Sequence, residues 1–245
     1  MPAPRRLVPL ALVLVAVGLA GCFQSLSTLT VRADGSATLV EVMAVSEAAA
    51  GFLTDSTRIT RADLEARAAA LGEGVTLASL AETDDGYTAT YHVPDVRALR
   101  LTPPEPPMAS RSDSSTSVPF TFSFARGPAG GAHTLGVIVP EPPAAAPDTA
   151  AADPERQRQG LAMARLLFGD ARLTVRVEVE GTVEQTDLRD DTVLDLQMGA
   201  LLDLMAEHPE LAAAQRPPLD EIARLSEDVE GIHVRTPGTY TVRFR

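Results

Sequence analysis

The side chains able to do chemistry are scattered along this chain. Four histidines, His92, His133, His208 and His233, include no pair at i, i+4 and have no cysteine beside them, so the ligand spacing of a zinc site is missing. They read as partly exposed side chains. Serines crowd residues 110–117, but a nucleophile needs a rigid base next to it, and no Gly-x-Ser-x-Gly elbow is present. That stretch reads as a solvated loop. Carboxylates recur at turns, as Asp34, Asp84, Asp85, Asp187, Asp190, Asp191 and Asp195. Residues 187–195 are the most ligand-like, because oxygen donors in a turn can hold Ca²⁺. The EF-hand register is absent, however, and aspartate favours turns for its own backbone hydrogen bonds. The expectation is a protein with no catalytic residue, no metal and no cofactor, one that is not an enzyme.

The aromatic residues give a different signal. Phe120, Phe122 and Phe124 fall at spacing two, on one face of a strand. Such a face either builds the core or walls a hydrophobic ligand groove. Core is the default, since exposed apolar patches are uncommon on soluble domains.

The one cysteine, Cys22, ends the run Leu19-Ala20-Gly21-Cys22. Before it come Arg5 and Arg6 and an apolar stretch over residues 7–20. A basic start, an apolar middle and small residues at the end make a secretory signal, with cleavage after Gly21. A membrane-spanning helix needs about 20 apolar residues; this run is shorter and broken by Pro9. Its ending resembles the lipobox of bacterial lipoproteins. That resemblance implies acylation of Cys22, a signal peptide over residues 1–21, and a membrane partner reached through the acyl chains. Residues 22–28 are then the lipidated cysteine and a short polar spacer.

Composition narrows the classes further. Removing residues 1–21 takes the formal net charge from −12 to −14, and every basic residue is arginine. So acidic a chain repels nucleic acid and anionic lipid headgroups. Acyl chains can hold it to a membrane where its own surface cannot. Hydrophobic residues reach 45% while aromatics are only 4%, so the core must be mostly aliphatic. A single cysteine forbids any intrachain disulfide.

The elements that must position these residues follow from local pattern. Leu29-Thr30-Val31-Arg32 alternates as a half-buried strand, Asp34-Gly35 is a hairpin turn, and residues 37–43 return. Ser46 caps a short helix to about Leu53. Thr60 and Asp63 form a capping box for a helix over residues 61–71, with Leu64, Ala68 and Leu71 on one stripe and Gly72 at its stop. Strands are expected over 75–80, 87–93, 120–124, 134–139, 173–180, 182–186, 193–196, 232–235 and 240–244. Helices are expected over 155–168, 198–206 and 219–227. Gly181 marks a bulge or kink. A flexible loop near 102–117 and a Pro/Ala excursion near 140–154 interrupt a single domain over 29–245. Hairpins flanking helices without regular βαβ alternation imply α+β, with helices on one face of an antiparallel sheet. Leu29-Thr30-Val31-Arg32 and Leu173-Thr174-Val175-Arg176 open two sets in the same ββ-αα-ββ order. Internal duplication explains that, and so does chance repetition of a cheap strand.

Val31-Arg32-Ala33-Asp34-Gly35-Ser36, with Glu41 on the return strand and Val177-Glu178-Val179-Glu180-Gly181 later, is similar to the LppM-like group of envelope lipoproteins. In that group a lipobox precedes a β-rich domain opened by such a hairpin. The resemblance implies a non-enzymatic domain in the cell envelope, bound to an envelope protein or a lipid. Phe23 in place of Asp after the cysteine favours the outer membrane where one exists. The expected function is binding or scaffolding from a lipid anchor. The alternative is a periplasmic carrier of a lipid or small hydrophobic ligand, with Phe120, Phe122 and Phe124 as its wall.

Overall fold

The structure is a computed structural model, and it describes residues 23–45, 59–83, 85–102, 118–141, 154–208, 211, 219–227 and 229–245. Gly21, Cys22, the expected helix from Ser46, the serine loop and most of the Pro/Ala excursion lie outside them.

The first hairpin pairs β1 (Phe23–Val31) with β2 (Ala37–Val45), Val31 opposite Ala37 and Phe23 opposite Val45. Its turn is held by Asp34, whose Oδ1 accepts from the Ser36 amide at 2.9 Å and the Ser36 hydroxyl at 2.7 Å. Those two bonds keep the Asp34 carboxyl below its ordinary pKa. Gly35 has φ +87°, and a Cβ there would lie 2.9 Å from the Phe124 ring. The turn therefore needs glycine for its backbone and for its packing. β1 starts six residues before Leu29, so Ser25 to Thr28, expected as a spacer, are strand. The reason lies in their register: Ser25 and Ser27 face inward with Leu29 and Val31, and two inward serines hide the apolar period.

α1 (Arg61–Leu71) carries the expected capping box of Thr60 and Asp63 and buries Leu64, Ala68 and Leu71. β3 (Thr76–Thr83) and β4 (Gly86–Val93) follow, then a 3-10 turn at Val96–Ala98 and β5 (Arg100–Leu101). Next come β6 (Phe120–Ala125), β7 (His133–Val139), α2 (Pro154–Phe168), β8 (Arg172–Val179) and β9 (Val183–Thr186). The chain closes with β10 (Thr192–Gln197), α3 (Met198–Glu207), α4 (Leu219–Leu225), β11 (Ile232–Val234) and β12 (Gly238–Phe244).

The strands form two sheets, one ordered β11-β10-β8-β1-β2-β4-β3 and the other β5-β6-β7-β12-β9. The fold is α+β, mostly strand with a few helices. Two departures from a single antiparallel sheet stand out. β1 and β8 pair in parallel, with Leu29 opposite Val177 and Ser25 opposite Leu173, so the two Leu-Thr-Val-Arg segments are side by side but out of step. Gly181, expected as a bulge or kink, is where the chain leaves one sheet for the other. Glu180 still donates to Val31 of the first sheet, and Thr182 already exchanges bonds with Arg245 beside the second. The main core runs between the sheets, from Leu29, Leu39 and Tyr91 to Leu135, Val137, Val242 and Phe244. A smaller one gathers Leu204, Leu211, Ile222 and Ile232.

Candidate functional site

The phenylalanine face belongs to the core. Phe122 is 4% exposed, and Phe120 and Phe124 pack against the same cluster. Phe124 stacks on His133 with ring centroids 6.0 Å apart and tilts against Phe244 at 6.4 Å. Phe120 and Phe124 are half-buried, so of the three rings only that of Phe122 would first have to be uncovered to wall a groove.

The carboxylates of residues 187–195 serve separate ends. Asp187 Oδ2 accepts from the Thr241 amide at 3.1 Å, tying β9 to β12. Asp190 and Asp191 take left-handed backbone angles, φ 52° and 53°. Asp195 Oδ1 and Oδ2 accept from Arg172 Nε and Nη2 at 2.8 and 2.6 Å, and that pairing holds its carboxyl below the ordinary range. Of the histidines, His92 is exposed, and His133 Nδ1 accepts from the Gly127 amide at 3.3 Å. His233 is partly exposed as expected, with its Nε2 buried and without a hydrogen-bond partner among the described residues.

Two polar assemblies went unread in the sequence. The first lies inside the larger sheet. Glu41 points into the core with Ala37, Leu39 and Met43 and is wholly buried, next to Ser27 on β1 and Ala89 on β4. Arg67, one residue before the buried Ala68 of α1, reaches it from above: Nε donates to Oε2 at 2.6 Å and Nη2 to Oε1 at 2.5 Å. Nη2 also donates to the Thr102 carbonyl at 2.9 Å. Around this pair the hydroxyls of Ser25 and Ser27 are buried with no hydrogen-bond partner among the described residues, and that of Tyr91 is buried beside Glu41. Burial, and then the Glu41 charge, push the Tyr87 phenol up to about 12 and that of Tyr91 up as well. The detectable signal was one charged residue on the apolar side of Ala37-x-Leu39-x-Glu41-x-Met43. It was missed because the other face, Val40 and Val42, is apolar too.

The second assembly lines an open cleft of about 410 Å³ between the end of α4 and β11. Arg189, Arg224, Glu227, His233, Arg235 and Tyr240 contribute to it. Arg224 is held by Glu221 at 2.7 Å, and Arg189 lies 3.8 Å from Asp190. Arg235 is different: it is half-buried, its Nε and Nη2 are out of solvent with no hydrogen-bond partner among the described residues, and its guanidinium carbon sits 5.4 Å from the centre of the Tyr240 ring. Tyr240 is itself fixed, its hydroxyl donating to the Thr236 carbonyl at 2.9 Å. Burial, reinforced by the charges of Arg235 and Arg189, pushes the His233 pKa down, so the imidazole is neutral at neutral pH. No local pattern announced this site, because its members come from a turn, a helix and two strands.

Two further clefts each carry an arginine–aspartate ion pair. One of about 510 Å³ between α2 and α3 is bridged by the Arg165–Asp203 ion pair. The other, about 240 Å³ on the outer face of the larger sheet beside Gln24, has Arg172 already clamped on Asp195. Among the described residues no helix is long and apolar enough to cross a membrane.

No protein-family model matches the chain, and no curated protein matches it. Among solved structures, the folded domain of LppM from Mycobacterium tuberculosis, determined by NMR, is similar over 91% of this chain and 90% of that one, at 13% identity and a TM-score of 0.32. A likeness that weak carries no argument about what this chain does.

Proposed function

We propose that the chain is a lipid-anchored protein of the cell envelope, acylated at Cys22 after cleavage at Gly21, that works by binding or scaffolding and not by catalysis. The observation that supports it is where the fold begins. Phe23, the residue after Cys22, already opens β1 and is 9% exposed, with Val45 opposite it. Acyl chains on Cys22 would therefore fix a rigid sheet against the bilayer with no tether between, a geometry suited to presenting a surface at constant height. An unidentified envelope protein or lipid is the partner, in the outer membrane where one exists.

The carrier alternative needs an apolar cavity of a few hundred cubic ångströms. Phe122, the residue chosen for its wall, has its ring in the core, which favours scaffolding. Fractionation of cells fed an alkyne-bearing fatty acid tests the anchor. The wild-type chain should carry the label and sediment with membranes, and Cys22→Ala should lose the label and the sedimentation. An unlabelled wild-type chain in the soluble fraction would sink the proposal.

A further inference from the structure

α2 is the long helix that the fold absorbs least. The other two bury an apolar stripe, Leu64, Ala68 and Leu71 in α1 and Leu202 and Leu204 in α3. α2 has apolar residues on two sides. Leu161, Ala164 and Phe168, at i, i+3 and i+7, form one stripe, and Phe168 packs against the main core. At about 3.6 residues per turn, Ala162, Met163 and Leu166 fall on the opposite side. None of the described α2 side chains is buried, and Met163, 57% exposed, is the most exposed of the large apolar side chains described. Charge sets α2 apart as well. It carries three arginines against one glutamate, whereas α1 is balanced and α3 and α4 are acidic. Arg165 leans on Asp203 of α3, and Arg158 is exposed.

The place of α2 decides what its second side meets. The helix ends at Phe168, and the chain turns at once into β8, the Ala171 amide donating to the Phe168 carbonyl at 2.9 Å. Arg172 lies opposite Gln24 in the parallel pairing of β8 with β1, which brings that turn next to the start of β1. The C-terminal end of α2 is therefore beside the end of the sheet from which acyl chains on Cys22 would enter the bilayer. We propose that α2 docks on that bilayer, with its Met163 side in the headgroup region and Arg158 on the phosphates of anionic phospholipids. An apolar stripe flanked by arginine is the pattern of helices that lie in the membrane interface. The chain as a whole, at −12, is repelled by such a surface. The anchor overcomes that by supplying proximity, and among the described helices α2 is the one of matching sign. Docking would orient the sheet as well as hold it, because two points of contact fix a tilt that one leaves free. The inference rests on acylation of Cys22 as proposed above.

The acylated protein, purified from membranes and reconstituted in vesicles of phosphatidylcholine and phosphatidylglycerol, tests it. Cys22 carries the lipid and is the one cysteine of the chain, so a single introduced cysteine takes a thiol-reactive fluorophore alone. The label on Met163→Cys should be quenched by nitroxide-bearing lipid. The label on Val183→Cys, also exposed but on β9 past the far end of β8, should not. Omitting phosphatidylglycerol should release the label at position 163, and so should adding Arg158→Gln, since one lost cation weakens docking about fivefold. Equal quenching at both positions, or quenching at 163 indifferent to phosphatidylglycerol and to Arg158, overturns the proposal. Flotation of the same vesicles reports the anchor separately. A chain that floats with an unquenched label at 163 keeps the anchor and loses the docked helix, and a chain that does not float loses both.

Discussion

Arg67 and Arg235 are the same side chain in two opposite situations. Arg67 meets a carboxylate 1% exposed and spends its third contact on the Thr102 carbonyl. It pins α1 to β2 and to the end of β5, and none of the three clefts described here includes it. Arg235 is half-buried, lays its guanidinium over the Tyr240 ring, and has no carboxylate on Nε or Nη2 among the described residues. A buried ion pair is close to neutral for stability as a whole but severe to break. A half-buried cation held over an aromatic ring carries no carboxylate to strand when it is removed. The difference separates a pair the fold depends on from a cation it merely accommodates.

That comparison fails first if breaking the Arg67 pair is harmless. Arg67→Ala strands the Glu41 carboxylate inside the sheet and should cost ~3–5 kcal/mol, read as a lower urea midpoint. Replacing both partners, Glu41→Leu with Arg67→Met, should restore most of the loss, because an apolar pair of similar volume leaves no charge uncompensated. A single mutant as stable as wild type would mean that Glu41 is reached by water and that the row is no part of the core.

Alkali probes the same row from the phenols. Unfolded tyrosine loses its proton near pH 10, whereas Tyr87 in the fold holds it to about 12. Between those values the native state binds more protons than the unfolded one, so stability falls as pH rises. The contribution is fully present below pH 10 and lost by about pH 12, with a ceiling of ~2–3 kcal/mol. Tyr87→Phe should flatten that stretch of the stability curve and leave part of the slope to Tyr91. An unaltered slope would place the Tyr87 hydroxyl in solvent.

Arg235 should answer in the opposite sense to Arg67. Arg235→Met removes a half-buried charge with no carboxylate partner among the described residues and keeps much of its volume, so the protein should be unchanged or more stable by ~1 kcal/mol. Thermal unfolding in anion-free buffer reads this. A strongly destabilised Arg235→Met would make this arginine architectural, like Arg67.

Why the sequence showed the elements so well and the assemblies so poorly is visible in the same residues. Asp34-Gly35, the Thr60–Asp63 box and the alternation of Leu173 to Glu180 are local signals, and each element they announced is present. Pairing is not local. Nothing in residues 23–31 says that their neighbour lies some 150 positions onward in β8, and nothing at Gly181 says that the next strand joins another sheet. The sites inherit that blindness. Glu41 is unusual only once the inward face of β2 is known, and Arg235 only once α4 has been set beside β11. The phenylalanine triplet was legible as one face of a strand, but a strand cannot disclose whether a sheet will cover it.

The smallest effect sets the scale for the others. Arg172 makes the same fork as Arg67, with Asp195 as its partner, but its side chain is 54% exposed and that of Asp195 22%. Water screens such a pair, so Arg172→Gln should cost only ~0.5 kcal/mol, less in high salt. Its signature is in acid. Arg172, and then Thr174, keep the Asp195 carboxyl below its ordinary value, so the pair's stabilisation is present above about pH 4. It disappears as pH falls through the lowered native value, where the carboxylate takes up its proton. Arg172→Gln should narrow the stability gap between neutral and acid pH by that small amount, measured by urea midpoints at either end. The fork is then the same in Arg67 and Arg172, and burial alone decides whether it is a keystone or an ornament.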